Sequence, residues 1–467
     1  MSELIDGGIV EVDPRPSPVD GLEGIIEKRS GPYKKKISDA CKADEQLNAL
    51  YTLFEQKYGS LSRARKVEVL EEHLKESAEL INSLENTQKR NIGYMTTIYA
   101  MHKFMDSSGV TVIEDFDFLA DVGLQNVSYL LPGLSNARIR TVNTKGKYVL
   151  GGAERVRIEE VTEMGDNGLR GAKSISIGTV NAKGKYILTI SENVHVETIE
   201  GSGHYFGYES IKMHVNTVVN EDGYLLCGSE DAVVDKIEKS SFVALQKSIR
   251  AYVKELVVAQ SDFGEESEEL RVDVVGKSGN TFGTGSQELT FGIVEEAGHG
   301  FGAGSTDLEG NTITQAGSTC LVKATNARIG YIKQAGTEFA QESIDVYVKK
   351  IDSVGENAGK KSTDLTLDEV GSVGMLFGKD SEYLHVGKME KAGEKFLEGS
   401  EGAVIFEIEH SPTSFMATRY VVRESSGKIH TKFSAQQVRD TLKEVYNFDP
   451  YQNTMDFLNI GMPEVEA

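Results

Sequence analysis

Six acidic residues of this sequence recur at multiples of nineteen residues along the chain. They are Asp231, Glu269, Glu288, Asp307, Asp345 and Asp364. Carboxylate oxygens are the ligands that Ca²⁺ prefers, and carboxylates stacked close together repel one another unless water or a cation separates them. The acidic column is therefore either a well-solvated outer face or a weak Ca²⁺ site, and we favour the solvated face. We expect no other cofactor.

Two further patterns bear on chemistry. His195 and His214 also lie nineteen residues apart, and Ser occupies one place of the repeat in eleven units. The histidines lack a Cys or acidic partner at metal-ligand spacing, which favours a surface pair. A catalytic serine would occur once, so the serine column indicates a small residue at a tight corner, its hydroxyl bonded to backbone or along the stack.

Recognised catalytic motifs are missing from the sequence. It contains no phosphate-binding loop ahead of a helix, no nucleophile elbow and no zinc-protease helix motif. The prediction is a non-catalytic protein. A polysaccharide lyase or glycoside hydrolase is kept as an alternative, because pairs of Asp and Glu can act on a flat face.

The element that positions all these residues is a repeat of nineteen residues, with fifteen consecutive units over 127–411. Counting the first residue of a unit as position 0, positions +10 and +15 are always apolar, and +12 fails only at Gly310. Position +3 is usually large. Val and Ile at alternate positions indicate strands, and a fixed period indicates a solenoid. We predict one coil per unit, with these four columns pointing inward, in preference to a meander of hairpins.

Glycine and proline support the solenoid. Gly opens eleven units, where we predict a corner with positive φ. No proline lies between Pro132 and Pro412, as a ladder that uses every backbone N–H requires.

The flanking segments differ from the repeat. Residues 1–36 contain Pro and Gly and are predicted to form an extended arm, and residues 37–126 are predicted to be α-helical. Residues 412–467 are predicted to form a small α+β cap with a short helix and an acidic tail. The fold class is thus mainly β, with the solenoid at 127–411 between these two regions.

The helical region contains a heptad pattern. Its members are Val67, Leu70, Leu74, Ile81 and Leu84. This spacing predicts a coiled coil through which the chain forms a trimer or a higher homo-oligomer. An amphipathic helix packed on its own neighbours is an equally good interpretation.

Charge and hydropathy exclude several partners. The net charge of −22 argues against nucleic acid and anionic membranes, which require basic patches. The sequence has no apolar run long enough to span a membrane and no signal-peptide pattern, so we expect no membrane insertion and synthesis in the cytoplasm.

The unbroken nineteen-residue coil over 127–411 resembles that of filamentous-haemagglutinin-type β-helices. The layout of arm, helical collar, β shaft and cap resembles a virion structural protein of a tailed bacteriophage, such as a fibre, spike, tail or neck component. That resemblance implies a rigid rod and attachment surface, located in the virion. Its partners would be copies of itself, other structural proteins of the same particle and surface glycan. A bacterial β-solenoid adhesin and a cytoskeletal scaffold are the alternatives.

Overall fold

The computed structural model describes residues 22–41, 52, 62–83, 86–124, 127–219, 223–240, 243–410 and 420–431. The protein is mainly β and forms a parallel β-solenoid of about 14 turns, preceded by α-helices. The predicted fold class is confirmed. The chain divides into two compact units, Met1–Val234 and Asp235–Ala467. The domain limits predicted after residues 36, 126 and 411 follow changes of secondary structure and stay a prediction.

Three helices precede the coils within the described residues. They are α1 Leu22–Cys41, α2 Arg63–Ser83 and α3 Asn86–Phe104. The extended arm predicted for 1–36 is wrong for residues 22–36, which are helical. Pro32 lies inside α1 and withdraws one backbone donor, but Ile26 and Ile37 on either side are fully buried. Their burial outweighs the cost of the proline. Residues 1–21 lie outside the described residues.

Helix α3 caps the open end of the first coil. The Leu131 N–H donates to Thr96 Oγ1 at 2.9 Å, and Thr97 Oγ1 donates to the Pro132 carbonyl at 3.0 Å. A Cβ on Gly93 would lie 2.0 Å from the Tyr129 carbonyl oxygen, so the helix and the coil touch through backbone. The cap covers polar groups and apolar surface that a solenoid end would otherwise expose.

The strands of the first compact unit begin with β1 Thr111–Ile113, which pairs in parallel with β2 Ser135–Thr144. A short 3₁₀ helix, Asp117–Leu119, follows β1. The strands that follow are β2 Ser135–Thr144, β3 Glu154–Met164, β4 Lys173–Ala182, β5 Glu192–Ser202, β6 Ile211–Val218 and β7 Tyr224–Leu225; β8 Val233–Ser240 crosses the limit between the units. From β2 onward most partners are nineteen residues apart: Val142 faces Val161, which faces Val180. This is the stacking that the repeat predicts.

The strands of the second compact unit are β9 Val243–Ala244, β10 Tyr252–Ala259, β11 Arg271–Lys277, β12 Thr290–Glu296, β13 Thr306–Gln315, β14 Thr325–Ala335, β15 Ile344–Val354, β16 Thr363–Val373, β17 His385–Lys391, β18 Ala403–His410, β19 Tyr420–Glu424 and β20 Ile429–Thr431. Strand partners within this unit are also nineteen residues apart from β10 to β18. From β10 to β19 each strand pairs in parallel with the next, and β20 turns back antiparallel on β19. The helix predicted in the C-terminal cap lies outside the described residues.

The core is made of the columns that the sequence predicts to point inward. Positions +10 and +15 are buried in every unit, as are the phenylalanines of position +3. In the second unit the rings of Phe263, Phe282 and Phe301 stack at 5.2 and 4.8 Å. Each coil therefore buries its apolar side chains against the same column of the next coil.

The corners of the coil do not lie where the glycines of position 0 predict them. Positions +4, +6 and +9 have positive φ in all fifteen units, whereas the glycines of position 0 do not. Those glycines are required by close approach: a Cβ on Gly298 would lie 2.0 Å from the carbonyl oxygen of Gly279 in the preceding coil. The predicted positive φ at position 0 is wrong, because stacked backbones rather than a turn exclude the side chain.

Positions +4 and +10 share one volume inside each coil. Position +4 is Gly in six units, and position +10 is then always Leu or Met. In the other nine units +4 is Leu or Ala, and +10 is Ala, Val or Ile. A Cβ on Gly283 would lie 2.4 Å from Leu289 Cδ2, so the Leu at +10 fills the space that a side chain at +4 would need. Close packing thus couples the two columns.

Candidate functional surfaces of the coils

The acidic column lies on the outer surface at position +9. Glu269, Glu288, Asp307 and Asp364 are exposed, and Asp231 and Asp345 are half-buried. All six residues have positive φ, between 52° and 56°. Asn and Asp tolerate the left-handed conformation better than most residues. Backbone geometry therefore accounts for the Asp members of the column without a ligand.

Two of the acidic side chains have hydrogen-bond partners within the protein. Asn326 Nδ2 donates to Asp307, and Arg328 Nη2 donates to both carboxylate oxygens of Asp345 at 2.8 Å. Partial desolvation, and next the negative charges of Asp345 and Glu382, raise the pKa of Asp364. No three His, Cys, Asp or Glu side chains converge as metal ligands within the described ranges. Ca²⁺ binding stays a prediction.

The histidine pair lies on neighbouring strands of the first unit. His195 on β5 and His214 on β6 are register partners, and their rings meet edge to face with centroids 5.0 Å apart. Both side chains are half-buried. The ring contact is the arrangement expected for a packed pair on the surface of a sheet.

The serine column at position +7 is structural. Ser286 Oγ donates to the Gly264 carbonyl of the preceding coil at 2.6 Å, and Ser362 Oγ donates to the Gly359 carbonyl of its own coil at 2.6 Å. Gly264 and Gly359 both occupy position +4. The buried hydroxyl thus satisfies the carbonyl of a left-handed residue. This confirms the corner role that the sequence predicts for the column.

Charges on the outer face are paired from coil to coil. Among the residues that the structure describes, eight ion pairs join residues nineteen apart at 2.8–3.8 Å: Lys147–Asp166, Lys173–Glu192, Lys247–Glu266, Lys277–Glu296, Lys323–Glu342, Lys350–Glu369, Lys379–Glu398 and Lys388–Glu407. Pairs of this kind contribute little stability individually. They do place a Lys ammonium group beside eight carboxylates of the neighbouring coils, which offsets part of the negative charge of the protein.

The residues predicted to mediate oligomerisation are only partly available on α2. Leu70 and Leu74 are fully buried within the chain, and Val67 is half-buried. Helix α2 packs against α3. The Ile81 side chain and residue Leu84 lie outside the described positions. The amphipathic interpretation accounts for Leu70 and Leu74, and the coiled coil stays a prediction.

A surface feature that the sequence did not lead us to predict is a column of tyrosines at position +2 of the repeat, within the first compact unit. Tyr129 and Tyr148 stack with ring centroids 4.5 Å apart, and Tyr186, Tyr205 and Tyr224 stack at 4.6 and 4.5 Å. The interplanar angles are between 1° and 5°. Tyrosine at the same position in five of the first six repeats was the available signal.

One groove lies beside the first coils. It has a volume of about 340 Å³ and is lined by Glu114, Asp115, Arg140, Thr141, Glu159 and Glu160. Arg140 Nη1 lies 3.3 Å from Glu114 Oε2, so its one basic group is already paired with a carboxylate. The groove is acidic and open, and it holds no arrangement typical of a catalytic centre.

No protein-family profile, characterised protein or solved structure matches this chain. Among the helices that the structure describes, none combines the length and the apolarity needed to cross a bilayer.

Proposed function

We propose that this chain is a non-catalytic structural protein that assembles with copies of itself and offers its coils as an attachment surface. The observation that carries the proposal is the constant register of the coils. From β10 to β18 each strand pairs with the next at a separation of nineteen residues. A repeat with no inserted loops provides a regular surface rather than the enclosed pocket that most enzymes need.

The N-terminal third supplies the assembly surface in this proposal. Val67 is half-buried on α2, and exposed Glu72 lies five residues further along the same helix. A second copy of α2 that packs against Val67 would complete its burial, with Leu70 and Leu74 supporting the helix from within the chain. The expected product is a trimer or a higher homo-oligomer.

The assembly proposal is tested with the full-length protein in an analytical ultracentrifuge. Val67→Lys is expected to shift the protein from oligomer to monomer, because it places a charge in the helix interface. Glu72→Lys is the matched control on the same helix and should keep the oligomer. Circular dichroism must be unchanged in both variants. A wild-type protein that stays monomeric at high concentration contradicts the proposal, as does a Val67→Lys protein that assembles normally.

We further propose that this protein is a component of the virion of a tailed bacteriophage, where it would contact other structural proteins. The support is the layout of helical collar, coil array and terminal hairpin, and it is support by analogy of fold alone. Antibodies against the purified protein should label phage particles in electron micrographs. Labelling confined to bacterial surfaces would instead favour the adhesin alternative, which the same fold suits.

A further inference from the structure

The tyrosine column of the first unit is interrupted at one coil. Position +2 holds Tyr129 and Tyr148, then Asn167, and then Tyr186 and Tyr205. The backbone is not interrupted there. The Asn167 N–H donates to the Lys185 carbonyl at 2.7 Å, as the Tyr148 N–H donates to the Asp166 carbonyl at 2.9 Å.

Asn167 also has the conformation of its neighbours. Its φ is 59°, between 56° at Tyr148 and 61° at Tyr186. The side chain at this coil therefore leaves in the same direction as the tyrosines but ends several bonds earlier. The column therefore lacks one ring at Asn167, while the backbone keeps the conformation of the neighbouring coils.

The missing ring leaves a slot between two aromatic faces. Neighbouring rings in the column stack at 4.5–4.6 Å, so the rings of Tyr148 and Tyr186, two coils apart, are about 9 Å from each other. Tyr186 is 38% exposed, and Tyr148, on the other side of Asn167, is half-buried. No cation lies over the Tyr148 or the Tyr186 ring within the described part of the chain.

The rim of the slot is polar. Arg170 Nη1 lies 3.3 Å from Asn167 Oδ1, and the Arg170 side chain is exposed. Asp166 accepts the Lys185 N–H at 3.0 Å and forms an ion pair with Lys147 at 3.0 Å. An amide, a guanidinium and a carboxylate at one rim offer both donors and acceptors to hydroxyl groups.

We propose that this slot binds one pyranose ring of a glycan, with its two faces against Tyr148 and Tyr186 and its hydroxyls on Asn167 and Arg170. A saturated ring has axial hydrogens on both faces and is thicker than an aromatic ring, which suits a gap of two stacking steps. The polar rim also favours a hydroxyl-rich ring over an aromatic side chain. The inference names a ligand for the proposed attachment surface and rests on that function for its biological meaning.

The experiment is saturation-transfer NMR on the full-length protein with a panel of methyl pyranosides: glucoside, galactoside, mannoside and N-acetylglucosaminide. p-Cresol serves as the aromatic probe. At least one pyranoside should receive saturation from the wild-type protein. Asn167→Tyr should weaken that binding at least tenfold, because it supplies the missing ring at a position where tyrosine is already accepted in neighbouring coils. Tyr224→Ala, at the far end of the stack, is the control and should bind as the wild type does.

Three outcomes would overturn the site: no pyranoside binds, binding survives Asn167→Tyr, or only p-cresol binds in a manner that Asn167→Tyr abolishes. The last outcome would assign the slot to an aromatic side chain of a partner protein. Tyr186→Ala provides a second variant in case Asn167→Tyr fails to fold. Failure at this site leaves the oligomer measured by sedimentation unaffected, so the two proposals fail separately.

Discussion

At the scale of single residues, two different constraints select glycine in this protein. The glycines of position 0 lie against the backbone of the preceding coil. Those of position +6 have positive φ, and Gly152, Gly171 and Gly304 among them have open space around them. Gly298 represents the first kind and Gly304 the second, since nothing lies within 4 Å of a Cβ on Gly304. The two constraints have different energetic costs.

Gly298→Ala should destabilise the protein more than Gly304→Ala. The new methyl group on residue 298 meets the backbone carbonyl oxygen of Gly279 in the preceding coil, so we expect a loss of about 3 kcal/mol. At residue 304 only the left-handed conformation is penalised, by about 1 kcal/mol. Urea unfolding of the two variants measures the difference. Equal midpoints would contradict the assignment of position 0 to close approach.

A second prediction at this scale concerns His385. Burial lowers the pKa of its imidazole to about 4, against the opposing effect of the Asp368 carboxylate. The ordinary pKa is about 6.5. Because the folded protein disfavours the charged form, the stability associated with neutral His385 is complete above pH 6.5. It is lost as the pH falls from 6.5 towards 4.

His385→Asn should therefore remove up to about 3 kcal/mol of the acid destabilisation between pH 6.5 and 4. Denaturant midpoints measured across this range test it. His204→Asn, at an exposed histidine of the first unit, is the control and should follow the wild-type curve. A wild-type and a His385→Asn protein with parallel pH profiles would contradict the prediction.

At the scale of the coil, the fit between positions +4 and +10 is testable by a double-mutant cycle. Gly283→Leu alone should clash with Leu289, and Leu289→Ala alone should leave a cavity costing about 2–5 kcal/mol. Combined, they reproduce the natural pair Leu321 and Ala327. The double variant should be more stable than the sum of the single effects by about 1–3 kcal/mol. Additive losses would contradict the shared volume.

The helical cap offers another prediction for an element. Gly93→Ala should push α3 away from the first coil, because the methyl group would lie 2.0 Å from the Tyr129 carbonyl oxygen. Amide exchange at Leu131, whose N–H donates to Thr96, should then accelerate. Gly31→Ala in α1 is the control: a Cβ there meets nothing within 4 Å, so it should stabilise the helix by about 0.5–1 kcal/mol. Unchanged exchange in Gly93→Ala would contradict the cap.

The sequence predicted the columns well and the corners poorly. Apolar side chains repeated at fixed positions can have only one explanation in a stack of equal coils, so +3, +10, +12 and +15 were assigned correctly. Residues with positive φ such as Leu321 and Lys361 cannot be recognised in this way, because their residue types do not require positive φ. Gly in six units at +4 and in seven units at +6 was the available signal. The slot at Asn167 was not predicted because it is formed by Tyr148 and Tyr186 of the two neighbouring coils.

At the scale of the whole molecule, equal coil length predicts that coils can be removed as units. Deleting residues 336–354, nineteen in all, brings Ile332 onto Val370 in the same column. The shortened protein should keep its circular dichroism spectrum and lose about one coil's share of stability. Deleting residues 336–345 instead shifts every later column and should abolish cooperative unfolding. Two deletions that behave alike in thermal melts would contradict the column register.

The fit between +4 and +10 also affects how the number of coils can change in evolution. In five of the six coils with Gly at +4, the side chain nearest to a Cβ there is the Leu of the same coil, as Leu289 is at Gly283. Such a coil carries most of its own complement when it moves. Misaligned recombination between two repeats of the gene would add or drop whole coils and leave each surviving coil with a filled interior. A lineage of such proteins can therefore change length in steps of one coil without first acquiring compensating mutations.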